Sequence, residues 1–321
     1  MISLCTANFN KWIYLEKFLD SIKRYEIEYI SEIVIVDDCS TDDSCEVIEK
    51  RINRNKNIKV KLIKNEINKG PGPSYNISVR KTTNDFIMIM DSDDFIIESS
   101  LYHKFNYLNE NNECQIIYGN GKMYSCKDKI YITSSLNDTF FSTIFSQSLS
   151  IIKKYFQTSV SSLYVPWCLI RKSFLIDIIW WFDDRIKSND RILNIKIFNY
   201  INSKKQIWYC SIPCFAYRIW DTNISNRYQY MEDLMLEVVN KYWEINNQKT
   251  LLSNIYFTIA MNALKNWDKK ISFFYYKKSI KHNFSFKKLI TFWMWFFIPY
   301  FIINSFIVRK YAQKIYMIVT W

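Results

Sequence analysis

The stretch that decides the predicted fold is residues 86–94, with the sequence FIMIMDSDD. Five consecutive apolar residues indicate a strand buried on both faces, and the acidic run after them marks its carboxyl end. A stretch of the same design, EIVIVDD, occupies residues 32–38. Because the carboxyl ends of parallel strands meet at one edge of a sheet, we expect both acidic groups at that edge.

Helix-like segments separate these strands. Apolar residues at helical spacing follow a first strand at Ile2–Thr6, and residues 40–43, STDD, offer capping side chains for a second helix. Lys59–Ile63 is predicted as a third strand, and Tyr75–Lys81 as a helix after a Gly-Pro loop at 70–73. This alternation predicts an α/β fold with a mostly parallel, Rossmann-like sheet flanked by helices.

The second half of the chain is less regular. Its pattern predicts strands at Gln115–Tyr118 and Lys129–Thr133, a strand running into a helix over Val165–Ile176, and an amphipathic helix within Asp183–Tyr200. From about residue 231 the pattern is helical. We therefore divide the chain into a first half of one domain (1–114), a second half of that domain (115–230) and a helical tail (231–321).

Composition excludes several classes of protein. The four glycines, at positions 70, 72, 119 and 121, cannot spell a P-loop or a dinucleotide fingerprint. Eight cysteines form no C-x-x-C pair, and two histidines supply no metal set, so a zinc site is not expected. The N-terminal residues lack the pattern of a signal peptide, which predicts a cytoplasmic protein with reduced cysteines.

The charge is concentrated in the tail. The whole chain carries a net charge of +12, of which +10 lies from residue 265 onward, where eleven basic residues face one aspartate. A run of twenty residues without a formal charge, 289–308, lies among them and is rich in aromatic side chains. This combination predicts a helical region that associates with a membrane, whereas nucleic acid would not explain the aromatic run. The run is long enough to cross a bilayer, but Pro299, Asn304 and Ser305 favour an interfacial or re-entrant helix pair over a clean span. A buried helix of the soluble core is the other alternative.

Each acidic cluster has a functional and a structural interpretation. Because side chains alternate along a strand, we expect the carboxylates of Asp91 and Asp93 to lie on one face, where they suit a hard cation, Mg²⁺ or Mn²⁺. A solvated acidic turn is the alternative. A carboxylate at Asp37 or Asp38 can accept the imide N–H of a uracil, or it can simply cap the next helix.

Four N-terminal segments together resemble family 2 glycosyltransferases of the GT-A fold: TANFNKWIYLEKFLDSI at 6–22, EIVIVDDCSTDDS at 32–44, NEINKGPGPSYN at 65–76 and DFIMIMDSDD at 85–94. Three later segments are similar to the acceptor side of that family: VPWCLIRKSFL at 165–175, FDDRIKSNDRILNIKIF at 182–198 and YRIWDTNIS at 217–225. The resemblance covers roughly residues 1–230 and points to bacterial enzymes that build surface glycans.

The resemblance implies roles for individual residues. Asp91 and Asp93 match the D-x-D that holds Mn²⁺ or Mg²⁺ on a nucleotide-sugar diphosphate, and Ser92 between them is expected to contact the nucleotide sugar. Asp37 and Asp38 match the pair that contacts the nucleoside, and the segment from Thr6 to Phe9 matches the loop that lines the base. Asp190 falls at the position of the general base, with Asp183 and Asp184 as rivals and a plain helix cap as the alternative.

This chain also departs from the family pattern. Asn189 stands where the family has Glu before the base, and Trp220 stands where it often has His. Ser74-Tyr75-Asn76 replaces Ala-Arg-Asn, which removes an arginine near the diphosphate, and Lys69 is a candidate substitute.

The resemblance as a whole implies an inverting enzyme. It would transfer a sugar from a nucleotide sugar, UDP-linked, to a hydroxyl of a lipid-linked glycan in surface polysaccharide, lipooligosaccharide or glycoprotein glycan synthesis. The nucleotide-sugar half would be residues 1–114 and the acceptor half residues 115–230, with the tail on the inner face of the plasma membrane and no nucleic-acid partner. The alternatives are a sugar nucleotidyltransferase and a basic membrane- or nucleic-acid-binding protein without catalysis.

Overall fold

The computed structural model describes residues 1–25, 28–54, 58–97, 101–131, 138–158, 168–178, 182, 189–219, 228–242 and 245–297. The chain divides into two compact units, residues 1–154 with 162–220 and residues 155–161 with 221–321. The described parts of 1–114 and 115–219 contribute strands to one sheet.

The strands are β1 (Ile2–Asn8), β2 (Ile30–Asp37), β3 (Lys59–Lys64), β4 (Phe86–Ile89), β5 (Phe95–Ile96), β6 (Ile116–Ser125), β7 (Ile130–Tyr131), β8 (Leu169–Arg171) and β9 (Ile207–Ile219). The α-helices are α1 (Trp12–Tyr25), α2 (Ser44–Arg54), α3 (Pro71–Arg80), α4 (Leu101–Glu110), α5 (Asp138–Ser146), α6 (Leu149–Thr158), α7 (Asn189–Tyr200), α8 (Tyr228–Tyr242), α9 (Ile245–Lys265), α10 (Lys269–His282) and α11 (Phe286–Phe297). A π-helical turn spans Phe174–Ile178, and a 3₁₀ turn spans Lys204–Gln206.

The strands form one sheet in the order β3-β2-β1-β4-β8-β6-β9-β5, with β7 paired to β6. Strands β3, β2, β1 and β4 are mutually parallel, whereas β8 is antiparallel to both of its neighbours. Strand β9 is parallel to β6, and β5 is antiparallel to β9. The predicted α/β fold, with a mostly parallel sheet and flanking helices, is confirmed.

The parallel half forms because its strands are apolar along their whole length. Residues 33–36 of β2 and 86–89 of β4 are all buried, as strands covered on both faces require. Helix α1 turns Leu15, Phe18 and Ile22 into the same core, at the spacing of one helix face. Burial of one such side chain contributes about 1.5–3 kcal/mol.

At the carboxyl edge of this half, the residues that follow β2, β3 and β4 each continue the pairing with the neighbouring strand by one hydrogen bond. The N–H of Asp38 donates to the carbonyl of Asn8 at 2.8 Å, and the N–H of Asn65 donates to the carbonyl of Asp37 at 2.8 Å. The N–H of Met90 donates to the carbonyl of Cys5 at 3.0 Å. The loops after β1, β2, β3 and β4 therefore begin side by side, as the sequence predicts.

One detail of the prediction is wrong. Strand β4 ends at Ile89, and residues 91–94 form a turn in which the N–H of Asp94 donates to the carbonyl of Asp91 at 3.3 Å. The acidic side chains therefore do not follow the alternation of a strand. The turn brings them together instead, and it adds Asp94 to the pair predicted from the sequence.

The second unit is helical in its described part, as predicted. Helices α8, α9, α10 and α11 share a core around Phe257, Tyr276, Phe292 and Trp295. The rings of Tyr276 and Phe292 stack with centroids 3.9 Å apart. Of the helices in the described ranges, none combines the length and apolar character needed to cross a bilayer. Helix α11 takes up the first part of the uncharged run 289–308, and residues 298–308 lie outside the described part.

Candidate active site

The turn after β4 gathers three carboxylates at the carboxyl edge of the sheet. One oxygen from each of Asp91, Asp93 and Asp94 lies within 4.8 Å of the other two. Asp94 is buried, and the other two are partly exposed. Ser92, predicted beside them as a nucleotide-sugar contact, is 3% exposed.

Burial and neighbouring charge raise the pKa values of two of these carboxyl groups, Asp91 and Asp94. Burial, and then the charge of Asp93, raise the pKa of Asp91 to about 6, although Tyr75 and Lys11 act in the opposite direction. Burial also raises the pKa of Asp94 well above its usual value, with Asp93 and Asp91 adding to the effect. The backbone N–H of Arg218 on β9 donates to Asp94 at 3.1 Å and partly offsets this. The charged forms of Asp91 and Asp94 are therefore disfavoured in the protein alone.

This donor set fits a hard divalent cation. Three carboxylate oxygens from one short turn are the ligand type that Mg²⁺ and Mn²⁺ prefer. A bound cation would favour the charged forms of these carboxylates and so oppose the burial and the repulsion that raise the pKa values of Asp91 and Asp94. The predicted ligands Asp91 and Asp93 are thus brought together, and Asp94 joins them.

Two contacts to the cluster were not predicted. Lys11, just before α1, places its Nζ 2.7 Å from Oδ2 of Asp93. The hydroxyl of Tyr75 on α3 donates to Oδ1 of Asp91. Lys11 follows the end of β1 by three residues, so the sequence could have placed it at the carboxyl edge of the sheet, near the acidic cluster. No comparable signal marks Tyr75, whose contact depends on how α3 packs.

Asp37 and Asp38 both lie at this edge and are 1% and 2% exposed. Asp37 accepts from the Asn8 side chain at 2.8 Å and from the backbone N–H and hydroxyl of Ser40 at 2.8 and 2.7 Å. Asp38 accepts from the side chain of Asn65 at 2.7 Å and from two backbone N–H groups of the loop before α3. These bonds shape the loops after β2 and β3, and contact with a nucleoside stays a prediction.

The segment predicted to line the base, residues 6–9, covers the end of β1 and the residue after it. Phe9 is 43% exposed, so its ring is available for stacking, whereas Thr6 is fully buried. Among the described residues, the hydroxyl oxygen of Thr6 and the side-chain carbonyl of Asn8 are buried without a hydrogen-bond partner. Buried polar atoms of this kind are uncommon and cluster where ligands or water bind.

The acceptor-side segment is anchored next to the cluster at one residue. Phe182 exchanges two hydrogen bonds with the side chain of Asn76, at 2.8 and 3.1 Å, and its ring stacks on Tyr75 with centroids 5.3 Å apart. Asp183 and Asp184, the rival bases, lie outside the described residues. Asp190 lies in the first turn of α7, but its side chain is outside the described part.

Comparison with solved structures agrees with the fold. The chain aligns over 99% of its length with 90% of a Staphylococcus aureus TarS fragment in complex with UDP-GlcNAc, with a TM-score of 0.55 and 18% identity. It aligns over 99% of its length with 85% of mannosyltransferase PcManGT from Pyrobaculum calidifontis, in complex with GDP-Man and Mn²⁺, with a TM-score of 0.59 and 12% identity. These identities establish the shared GT-A fold alone.

Sequence comparison goes further. The chain is 30% identical over 110 residues to the poly(ribitol-phosphate) beta-N-acetylglucosaminyltransferase TarS of S. aureus, a match that covers 34% of this chain and 19% of the relative. The chain spans less than half the length of the curated relatives that it matches. The profile of one family, glycosyl transferase family 2, matches residues 3–179, which is more than half of the chain. The chain therefore belongs to glycosyl transferase family 2.

Proposed function

We propose that this protein is an inverting glycosyltransferase that moves a sugar from a nucleotide sugar to a hydroxyl of a glycan acceptor. The observation that carries the proposal is the cluster of Asp91, Asp93 and Asp94 at the carboxyl edge of the sheet, in a chain of this family. A nucleotide sugar presents a diphosphate, whose charge needs a cation, and the cluster is the place to hold one.

UDP is the nucleotide we propose. The TarS fragment, which shares this fold, is described in complex with UDP-GlcNAc. The two partnerless atoms of Thr6 and Asn8 lie on β1, which ends beside Asp37, and the exposed ring of Phe9 follows directly, which supports a base site there. In this proposal the carboxylates of Asp37 and Asp38 hold the site together and contribute to nucleoside binding.

Asp91 and Asp93 would hold Mn²⁺ or Mg²⁺, with Asp94 supporting them from the buried side. When bound, the cation supplies electrostatic stabilisation of the leaving diphosphate. Tyr75 fixes the orientation of the Asp91 carboxylate through its hydrogen bond. Burial of Asp94 lowers the local dielectric on that side of the cluster, which strengthens these electrostatic contacts.

A general base must remove the proton of the acceptor hydroxyl as that oxygen attacks the anomeric carbon. We propose Asp190 for this role, with Asp183 and Asp184 as alternatives. The anchoring of Phe182 against Tyr75 supports the proposal, because it brings the start of this segment to the residue that contacts Asp91. One in-line displacement inverts the anomeric configuration and needs no covalent nucleophile. A general base of this kind typically raises the reaction rate by about 10²–10⁴-fold.

The acceptor we propose is a lipid-linked bacterial surface glycan, used at the cytoplasmic face of the plasma membrane. A stripe of exposed apolar side chains on α11 supports this. Phe286, Ile290, Met294 and Phe297 are 67%, 47%, 54% and 72% exposed and recur at the spacing of one helix face. An amphipathic helix of this type lies in the plane of a membrane interface with its apolar face inserted.

Exposed lysines accompany the stripe within the second unit. They are Lys270, Lys277, Lys281 and Lys287. Each basic residue near an anionic leaflet contributes about 1 kcal/mol of attraction. We call the stripe the α11 surface, and we propose that it binds anionic lipid, with the exposed lysines of the same unit adding electrostatic attraction.

Vesicle binding tests the α11 surface. Ile290→Glu and Met294→Glu place a charge on exposed positions of the stripe, and Ile130→Glu is the matched control because Ile130 is 57% exposed on the first unit. We expect the two stripe variants to lose co-sedimentation with phosphatidylglycerol vesicles while the control retains it. Unchanged sedimentation of both stripe variants would refute membrane attachment by this surface.

A thermal-shift screen tests the activity class. The protein would be melted with UDP-, GDP- and dTDP-sugars, each with and without Mn²⁺. A ligand that binds the folded state at 100 times its Kd stabilises that state by about 2.7 kcal/mol, which gives a clear shift in Tm. We expect a metal-dependent shift with a UDP-sugar, followed by UDP release when acceptor is added. No shift with any nucleotide sugar would contradict the proposal.

A further inference from the structure

Lys11 is tethered where its ammonium group competes for a carboxylate of the proposed cation site. Its Nζ lies 2.7 Å from Oδ2 of Asp93, and the two side chains are 32% and 26% exposed. Its backbone N–H donates to the hydroxyl of Ser44 at 3.3 Å, and the preceding residue, Asn10, is held in a left-handed conformation by a hydrogen bond to Ser40. The backbone is thus fixed to the loop after β2, while the partly exposed side chain has room to move.

An ammonium group and a divalent cation cannot share one carboxylate oxygen without repulsion. We infer that Lys11 and the divalent cation alternate on Asp93, and that the ammonium, once displaced, binds the diphosphate of the donor. The inference rests on the proposed function, because it requires both a cation and a nucleotide diphosphate at this edge. Lys11 is then a nucleotide-binding residue that also keeps Asp93 paired before the donor arrives.

Other cations near the cluster have different partners. The Nζ of Lys17 lies 3.8 Å from the ring centroid of Phe95 and 4.4 Å from that of Tyr124. The guanidinium of Arg218 lies 4.9 Å from the Phe95 centroid and is largely buried. Arg218 also interacts electrostatically with Asp94 and Asp93. Lys11 has a ring contact of its own, with its Nζ 5.8 Å from the Tyr14 centroid, but the same Nζ also makes the 2.7 Å ion pair with Asp93, where a phosphate would also have to be bound.

Tyr75 strengthens the argument for Lys11. The side chain on α3 that reaches the cluster is a neutral phenol, and its hydroxyl donates to Asp91 without adding charge. Lys69, the substitute considered from the sequence, has its backbone N–H bound to Asp38 at 2.9 Å, and its side chain is exposed. A diphosphate beside Asp93 would therefore meet the positive charge of Lys11 rather than a charge on α3.

Two binding measurements on the full chain test the inference. The affinity for Mn²⁺ without nucleotide is obtained from the concentration of free Mn²⁺, measured by electron paramagnetic resonance. The affinity for UDP is measured by calorimetry at saturating Mn²⁺. The variants are Lys11→Met, which removes the charge, Lys11→Arg, which keeps it, and Lys17→Met, which removes a nearby charge held on aromatic rings. Asp93→Asn reports whether Mn²⁺ binds at the cluster.

We expect Lys11→Met to bind Mn²⁺ about 2- to 5-fold more tightly than the natural protein, because a partly exposed ion pair no longer competes. At saturating Mn²⁺ the same variant should bind UDP about tenfold more weakly or worse, because a hydrogen bond to a charged group is lost. Lys11→Arg should restore both values, and Lys17→Met should leave both within twofold.

An unchanged or weaker Mn²⁺ affinity in Lys11→Met, or an unchanged UDP affinity, would overturn the inference. The proposed function would stand in that case, provided that the natural protein binds Mn²⁺ through Asp93. If the natural protein binds neither Mn²⁺ nor any nucleotide sugar, the proposed function fails and the inference fails with it. Far-ultraviolet circular dichroism of Lys11→Met and Lys11→Arg confirms that the compared proteins are folded.

Discussion

The carboxylate of Asp38 and the backbone N–H of Gly70 are joined by a hydrogen bond of 2.7 Å across 32 residues of sequence. The same carboxylate accepts from the N–H of Lys69 at 2.9 Å and from the side chain of Asn65 at 2.7 Å. Gly70 has a φ of 89°, a left-handed conformation that favours glycine. Asp38 thus ties the end of β2 to the loop that begins α3, and α3 carries Tyr75 to the acidic cluster.

Replacing Asp38 with Asn should loosen this loop. The amide NH₂ would face N–H donors, which leaves at least one buried donor without an acceptor, so we expect a loss of about 1–3 kcal/mol in the free energy of unfolding. Asp43→Asn is the control because Asp43 is exposed in the adjacent segment. Urea denaturation measures both variants, and an Asp38→Asn protein within 0.5 kcal/mol of the natural one (about the usual effect of a surface substitution) would contradict this role.

Removal of the proposed cation, or of one of its ligands, should stop transfer. We expect EDTA to abolish release of UDP from a UDP-sugar and Mn²⁺ to restore it. Asp93→Asn should reduce the rate about 100-fold or more, since electrostatic stabilisation by a metal amounts to several kcal/mol. The control, Asp85→Asn, changes an exposed aspartate at the other end of β4. Equal rates in the two variants would rule out Asp93 as a ligand.

A second buried carboxylate, Glu32, lies at the opposite end of the sheet and should make stability depend on pH. It accepts from the hydroxyl of Ser3 at 2.6 Å and from the backbone N–H and hydroxyl of Thr83. Burial alone would raise the pKa of Glu32, but these hydrogen bonds, with help from Lys61, outweigh it and lower the pKa to about 2. The ordinary value for the unfolded chain is 4.5.

Because the folded pKa is the lower one, the unfolded state binds more protons between these two values. The stabilisation from Glu32 is therefore complete above pH of about 4.5 and is lost as the pH falls toward about 2. Glu32→Gln should cost about 1–3 kcal/mol at neutral pH. The gap between the two proteins should narrow in urea titrations as the pH falls from 6 toward 2.5, values spanning roughly the two pKa limits. A gap that stays constant over this range would refute the assignment.

The sequence was most informative where local pattern and burial agree. Phe86–Met90 was predicted as a strand, and β4 spans Phe86–Ile89 with every residue buried, because a short, continuous apolar run is typical of a strand covered on both faces. The helix predicted at Tyr75–Lys81 begins four residues earlier, at Pro71. The Gly-Pro sequence at 70–73 predicts a loop, but proline is well accommodated in the first turn of a helix, where its missing N–H would have no intrahelical partner.

The second half of the sheet was harder to predict. Strand β6 continues to Ser125, seven residues beyond its predicted end at Tyr118. Strand β9, with thirteen residues, was not predicted. Their pairing is shifted near Asn120, and several of their residues are only partly buried, so neither the alternating nor the continuous apolar pattern applies. Pairing partners distant in sequence decide such strands.

The candidate site shows the same limit. The acidic residues were found because they follow apolar strands, whereas the pairing of Lys11 with Asp93 joins residues 82 positions apart. Tyr75 reaches Asp91 through a side chain whose neighbours in sequence carry no sign of it. A single sequence predicts which edge of the sheet is functional, and the packing of α1 and α3 decides which side chains meet there.

Lys288 provides a last test, in the helical second unit. It is 4% exposed on α11, and its Nζ donates to the hydroxyl of Ser253 at 2.8 Å. Burial lowers the pKa of Lys288 to about 8, so the unfolded state binds more protons than the folded state from about pH 8 up to the ordinary value of 10.5. Stability should therefore rise with pH across this window.

Lys288→Met should stabilise the protein at pH 7 by about 1–2 kcal/mol, because a buried charge with only neutral partners is replaced by an apolar side chain of similar size. Ser253 keeps other partners, since its hydroxyl also bonds to Ser279 at 3.1 Å and to the carbonyl of Asn283 at 2.9 Å. Urea denaturation of Lys288→Met and of the exposed control Lys287→Met measures the effect. The difference in the free energy of unfolding between Lys288→Met and the natural protein should shrink above pH of about 8, where the folded natural protein loses this charge. A Lys288→Met protein that is less stable than the natural one at pH 7 would instead show that the ammonium group stabilises this core.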